Sequence, residues 1–144
     1  MPDPAPVIGR CDCASTNVEA YAPPQTRYCH CVNSRRWTGA RGAAAAQFDT
    51  IHLTSHPDPG TVFAVNQSVQ RCCFPTCGSP LATTFDPLLD KIYAPIGILD
   101  TTVDHTPHTH SNVTSQLPWL HLSEDLLRIG AGAADAWNLT GDGA

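Results

Sequence analysis

Arg71-Cys72-Cys73-Phe74-Pro75-Thr76-Cys77-Gly78-Ser79-Pro80-Leu81 is the stretch that decides how this chain is held together. It carries three of the seven cysteines, and the other four come as pairs two positions apart, Cys11-Asp12-Cys13 and Cys29-His30-Cys31. Two cysteines separated by one residue cannot easily bond each other, but from a tight turn both sulfurs can converge on one metal ion. The start Met1-Pro2-Asp3-Pro4 is neither cationic nor followed by an apolar segment, so no secretory signal is expected. Under reducing conditions an odd number of closely paired thiols reads as metal ligands rather than disulfides. The expectation is a cytoplasmic protein with a zinc held by four thiolates, which would supply folding energy directly. On that reading the glycosylation motifs at Asn66, Asn112 and Asn138 are chance matches.

Working outward, 144 residues with 42% hydrophobic and 15% charged side chains suit one folded domain rather than a disordered chain. Its expected bounds are residues 9–138, between a Pro-rich lead-in at 1–8 and a loose tail at 139–144. A net charge of −5, with Lys91 the only lysine, lacks the basic stripe that a phosphate backbone requires, so nucleic acid is not an expected partner. No run approaches the roughly 18 apolar residues of a membrane span, so no membrane association is expected either. Strands are predicted at Thr50–Thr54, Thr61–Val69 and Lys91–Leu99, punctuated by breakers such as Pro57-Asp58-Pro59-Gly60. Two weaker helical signals are the Ala-rich Gly39–Phe48 and a turn capped by Ser123 over Glu124–Ile129. The fold class is therefore mainly β, stapled by zinc, with one or two short helices. There is no Gly-rich phosphate loop and no Gly-x-Ser-x-Gly elbow.

The order of motifs is more specific than any one of them. Gly9-Arg10-Cys11-Asp12-Cys13 is followed by Cys29-His30-Cys31-Val32-Asn33-Ser34-Arg35-Arg36-Trp37-Thr38-Gly39-Ala40, then by 71–81, Ile96-Gly97-Ile98-Leu99-Asp100, Pro107-His108-Thr109-His110 and Pro118-Trp119. Over about residues 9–120 this series resembles the glutathione-dependent formaldehyde-activating enzyme family, which includes centromere protein V. The resemblance implies a β-tent of small antiparallel sheets around a tetrathiolate zinc. It also implies a second zinc, held by three thiolates and open to a substrate thiol, and carbon–sulfur bond chemistry on a hydroxymethyl thioether.

Carried over by position, Cys11, Cys13 and Cys77 match structural ligands. The family's Phe-Cys is inverted here as Cys73-Phe74, so Cys73 is the expected fourth ligand and Cys72 the alternative. For the second zinc Cys29 and Cys31 match, but the third position is Ser34, a poor ligand, which predicts a weakened or lost site. A substitute from His30, His108 or His110 is the alternative. The functional expectation is a small-molecule enzyme, diverged toward a lyase, dehydratase or cyclase-type tailoring reaction of secondary metabolism. In it His110 and His30 act as acid and base beside Cys29 and Cys31, and Arg35 and Arg36 anchor an anionic substrate. Two other readings stand beside it: a carbon–sulfur lyase on S-hydroxymethyl thiol adducts at a rebuilt second zinc, and a non-catalytic zinc-stapled binding module.

Overall fold

The computed structural model describes residues 6–21, 25–50, 53–56, 60–65, 67–88, 90–100, 106–122 and 126–130. Its short β-branched and apolar runs form β1 (Val7–Arg10), β2 (Asn17–Ala20), β3 (Gln25–Cys29), β4 (Ala43–Asp49), β5 (Leu53–His56), β6 (Thr61–Ala64), β7 (Val69–Cys73), β8 (Pro80–Phe85), β9 (Lys91–Pro95), β10 (Thr109–Ser111) and β11 (Leu127–Arg128). One α-helix, α1 (Val32–Thr38), stands among them in the described residues. The protein is mainly β, in small sheets. No helix among the described residues is long and apolar enough to cross a membrane.

The chain forms two compact units, one of residues 1–25 and 46–105, the other of 26–45 and 106–144. In the first, β1, β2 and β5 make an antiparallel sheet with Val7 opposite Ala20 and Asn17 opposite His56. Strands β6, β7, β8 and β9 follow one another in a second antiparallel array. In the second unit β10 runs parallel to both β3 and β11, with His110 beside Tyr28 and Arg128.

Several local expectations are corrected. The Ala-rich segment is strand β4, not a helix: Ala46 and Phe48, two apart, are buried together in a cluster with Ala20 and Ala94. Close packing of small side chains overrides alanine's helix propensity there. Thr61–Val69 is not one strand but the β6–β7 hairpin, closed where Val65 N–H donates to Val69 O at 2.9 Å. Strand β9 stops at Pro95, before a 3₁₀ turn at Ile96–Ile98. Leu127–Arg128 is strand rather than helix, and Ser123–Asp125 lie outside the described residues. Val7 and Ile8, assigned to the lead-in, belong to β1, while the tail at 139–144 lies outside the described residues.

The two units differ in what they bury. The first has an apolar core of Cys11, Val18, Phe74, Leu81 and Ala82, flanked by Leu53, Cys72, Ile92 and Ile98. Burying a side chain such as Phe74 contributes roughly 1.5–3 kcal/mol. In the second unit the buried residues are largely polar: Thr26, His30, His110, Ser111 and Asn112, beside Cys31, Ala43 and Leu120. Such groups are tolerated inside when hydrogen-bonded. Thr26 Oγ1 donates to Thr106 O at 2.6 Å, and Ser111 Oγ donates to Tyr28 O at 3.1 Å. A polar interior in a small unit is more informative about function than the apolar core beside it in sequence.

Candidate functional site

Two clusters carry chemistry, one in each unit. In the first unit the loop after β1 folds back, with Cys11 N–H on Thr16 O at 3.2 Å and Ala14 N–H on Cys11 O at 3.0 Å, so Cys11 and Cys13 turn the same way. Their sulfurs lie 3.5 Å apart. The β7–β8 turn closes through Gly78 N–H to Phe74 O at 2.8 Å and Phe74 N–H to Ser79 O at 2.9 Å, with Gly78 at φ +75°. That left-handed residue is what glycine allows at low cost. The turn brings Cys77 to the pair, and the sulfurs of Cys11, Cys13 and Cys77 all lie within 4.8 Å of one another. Thiolates around a tetrahedral metal at about 2.3 Å sit about 3.8 Å apart, so this spacing fits a bound ion.

The surroundings favour thiolates. Cys77 is pushed down to about 6, first by the Ser79 hydroxyl, whose oxygen lies 3.1 Å from the sulfur, and then by the backbone of Cys13 and Ser79. Burial pushes Cys11 up, but hydrogen bonds from the Thr16 backbone, Ser15 and Cys13 outweigh it and its thiol is lowered. Ser15 Oγ lies 3.0 Å from Cys13 Sγ.

Cys73 is not in this group. Strand β7 ends at Cys73, where the β7–β8 ladder shifts register, and the sulfur one position back from the knuckle does not join the other three. Phe74, fully buried in the core with Cys11, occupies the knuckle position. Cys72 turns toward Gly60, where an added Cβ would run into its sulfur.

The second cluster sits where β3 hands over to α1. Cys31 is the N-cap of the helix: its sulfur accepts the Ser34 N–H at 3.3 Å and lies 3.0 Å from Ser34 Oγ. Gly39 closes the other end in the left-handed conformation, its N–H on Arg35 O at 2.8 Å. Cysteine is not among the strong N-cap residues, so this helix left only Gly39, after Arg35 and Arg36, as a signal in the sequence. The Cys29 and Cys31 sulfurs share a hydrogen bond at 3.2 Å, and Asn112 Nδ2 donates to Cys29 at 3.4 Å. Asn112, left-handed at φ 56°, was legible only as a glycosylation motif, because nothing in its spacing links it to Cys29. Cys29 is pushed well below the ordinary thiol range, chiefly by the hydrogen bond from Cys31 and against its own burial, with help from Ser34 and Asn112. Cys31 is pushed far up by the same partner and by burial.

His30 and His110 meet each other: His30 Nε2 and His110 Nδ1 are 2.9 Å apart and both residues are fully buried. Tyr28 stacks on His110 with ring centroids 5.1 Å apart. Tyr28 and His110 are register partners, and Cys29 and Ser111 are the next pair, so strand alternation turns Cys29 to the face opposite His110. His108 is exposed and tied to Thr26 by its backbone N–H. Arg36 is exposed, while Arg35 is half-buried, donates from Nη2 to Ser115 O at 3.4 Å, and has a buried Nε with no hydrogen-bond partner among the described residues.

These clusters match a known pattern. The family model described as Glutathione-dependent formaldehyde-activating enzyme covers residues 6–115. The chain belongs to this family. A crystal structure of a Rhodobacter sphaeroides protein is similar to it at TM-score 0.55 and 19% identity, over 67% of this chain and 91% of that one, which shows a shared fold. No curated protein matches the chain. Within this family of formaldehyde-activating enzymes, Cys11, Cys13 and Cys77 form a group that can hold a metal ion. The set Cys29, Cys31 and Ser34 fits a second tightly held ion poorly, because two thiols and a neutral hydroxyl stand where three thiolates were expected.

Proposed function

We propose that the protein is a small-molecule enzyme of the carbon–sulfur lyase type, in which Cys29 moves a proton during addition of a thiol to a small aldehyde, or the reverse. The observation that carries this reading is the Cys29 sulfur, half-buried, hydrogen-bonded with Cys31 at 3.2 Å and accepting from the Asn112 amide at 3.4 Å, surroundings that lower its thiol to about 5. In the forward direction the substrate thiol gives its proton to the Cys29 thiolate, and the substrate sulfur attacks the carbonyl carbon. The carbonyl oxygen then takes that proton back from Cys29 as the C–O π bond opens, leaving a hydroxyalkyl thioether and the original thiolate. With its thiol lowered to about 5, Cys29 is in its base form at neutral pH and available to take that proton. Cys31 is a positioning residue: fully buried, it acts through its hydrogen bond to Cys29. The buried His30–His110 pair supports β3 and β10 from the other face, and Arg35 offers a guanidinium for a carboxylate of the thiol substrate. Zinc at Cys11, Cys13 and Cys77 supplies folding energy. Family membership supports the aldehyde and thiol classes.

The test is catalysed exchange between formaldehyde, glutathione and their S-hydroxymethyl adduct, followed by NMR. The rate should exceed the uncatalysed one, fall about 100-fold or more in Cys29→Ser, and survive chelation that removes loosely held metal. Turnover unaffected by Cys29→Ser overturns the proposal, and turnover restored only in Ser34→Cys would return the chemistry to a second metal.

A further inference from the structure

We infer that Cys11, Cys13 and Cys77 form a three-thiolate metal centre whose fourth place is open to ligands from solution, with small thiols the preferred class. The three sulfurs form a group that no fourth Cys, His, Asp or Glu joins among the described residues. The position from which a fourth thiolate would come is Phe74, whose ring is fully buried in the core cluster with Cys11. Neither neighbouring cysteine makes up the set: Cys73 lies outside the group of three, and the Cys72 sulfur lies in the space a side chain at Gly60 would need. Cys11 is buried, but Cys13 and Cys77 are both exposed, so the open side of the centre faces water.

The groups that do touch the outer sulfurs are hydroxyls. Ser15 Oγ is 3.0 Å from Cys13 and Ser79 Oγ 3.1 Å from Cys77, and Ser79 is itself fixed by the Asp12 N–H at 3.1 Å. They orient thiolates and are poor ligands. A divalent ion with three thiolates is left one soft donor short of the closed set, and a free thiol supplies the donor that a cysteine at 74 would. An ion there would be held by Cys11, Cys13 and Cys77, and an incoming thiol would give its proton to buffer as its sulfur joined them.

This inference rests on the reading of the group as a zinc site, and the experiment separates the two. Metal-free protein is titrated with Co²⁺ and followed by its thiolate charge-transfer and d–d absorption, in the wild type and in Cys29→Ser/Cys31→Ser to assign the bands to this centre. One equivalent should bind, and Cys77→Ser should weaken it by more than about 100-fold, beyond what indirect partners usually cost. Cys72→Ser and Cys73→Ser should leave affinity unchanged. Adding 2-mercaptoethanol or glutathione should shift the d–d bands of the wild type but not of Phe74→Cys. Absence of any Co²⁺ binding removes the metal reading itself. Tight binding with bands indifferent to added thiol, or lost with Cys73→Ser or Cys72→Ser, overturns the open place alone. The last two variants and the wild-type response keep the test decisive if Phe74→Cys does not fold.

Discussion

Replacing Cys31 with alanine isolates the hydrogen bond on which the proposed activity depends. The substitution removes the sulfur 3.2 Å from Cys29 and leaves the Asn112 amide at 3.4 Å. A hydrogen bond to a charged group contributes about 1.5–3 kcal/mol, and a thiol is a weak donor, so the lower end applies. At about 1.4 kcal/mol per unit, the Cys29 thiol should rise by about one unit. Only thiolate reacts with iodoacetamide, and a thiol that rises from about 5 to about 6 is half protonated at pH 6, so alkylation of Cys29 at that pH, read by peptide mass spectrometry, should slow about twofold while the rate at pH 10 stays the same. Helix α1 loses its cap in the same variant, because the Ser34 N–H no longer finds an acceptor, at a cost of about 1 kcal/mol in unfolding free energy. Cys31→Ser separates the two effects, since serine caps well and still donates. A wild-type profile inflecting near the ordinary thiol value of about 8.5, or one that Cys31→Ala leaves in place, refutes the lowering of Cys29 by Cys31.

Two further outcomes follow from the same geometry. The folded chain holds Cys29 low, so between that low value and about pH 8.5 the unfolded chain binds more protons and stability rises with pH; Cys31 is held high, so above about 8.5 stability falls. In chelator, the difference in urea unfolding free energy between wild type and Cys29→Ala/Cys31→Ala should therefore peak near pH 8.5, and a difference that changes in one direction from pH 5 to 10 contradicts the pairing. Gly9→Ala should cost about 3 kcal/mol or more, seen as a lower urea midpoint, because its Cβ would run into the Ile98 carbonyl oxygen and approach Leu99 Cα to 3.1 Å, backbone that cannot swing aside; an unchanged midpoint would mean that this edge of β1 yields.

How far the sequence reaches depends on whether a feature is local. Cys11 and Cys13, two apart, and Cys77 before Gly78 were legible because one turn suffices to aim each sulfur, and the structure brings all three together. The strand β4 was not, because alanine's intrinsic preference points to a helix and the partners that decide otherwise, Ala20 and Ala94, lie far away in the chain. Asn112 was not, because its role is fixed by β10 lying parallel to β3 and carrying it to Cys29.

The inverted pair Cys73-Phe74 shows the limit most sharply, and it bears on function. By composition nothing is lost, since one thiol and one ring are present in either order. At the end of β7, however, exchanging two adjacent residues changes which of them is seated inside. The ring here takes the inward place beside Cys11, where its burial contributes to the core, and the metal group is left with three sulfurs. In the other unit Ser34 likewise leaves two sulfurs where three were expected, and those two are hydrogen-bonded to each other at 3.2 Å. Each cluster has lost one thiolate relative to the expected pattern, with opposite consequences. On the proposed readings, losing one at the exposed group would leave room for a soft ligand from solution, whereas losing one beside buried Cys31 would leave two sulfurs free to exchange a proton.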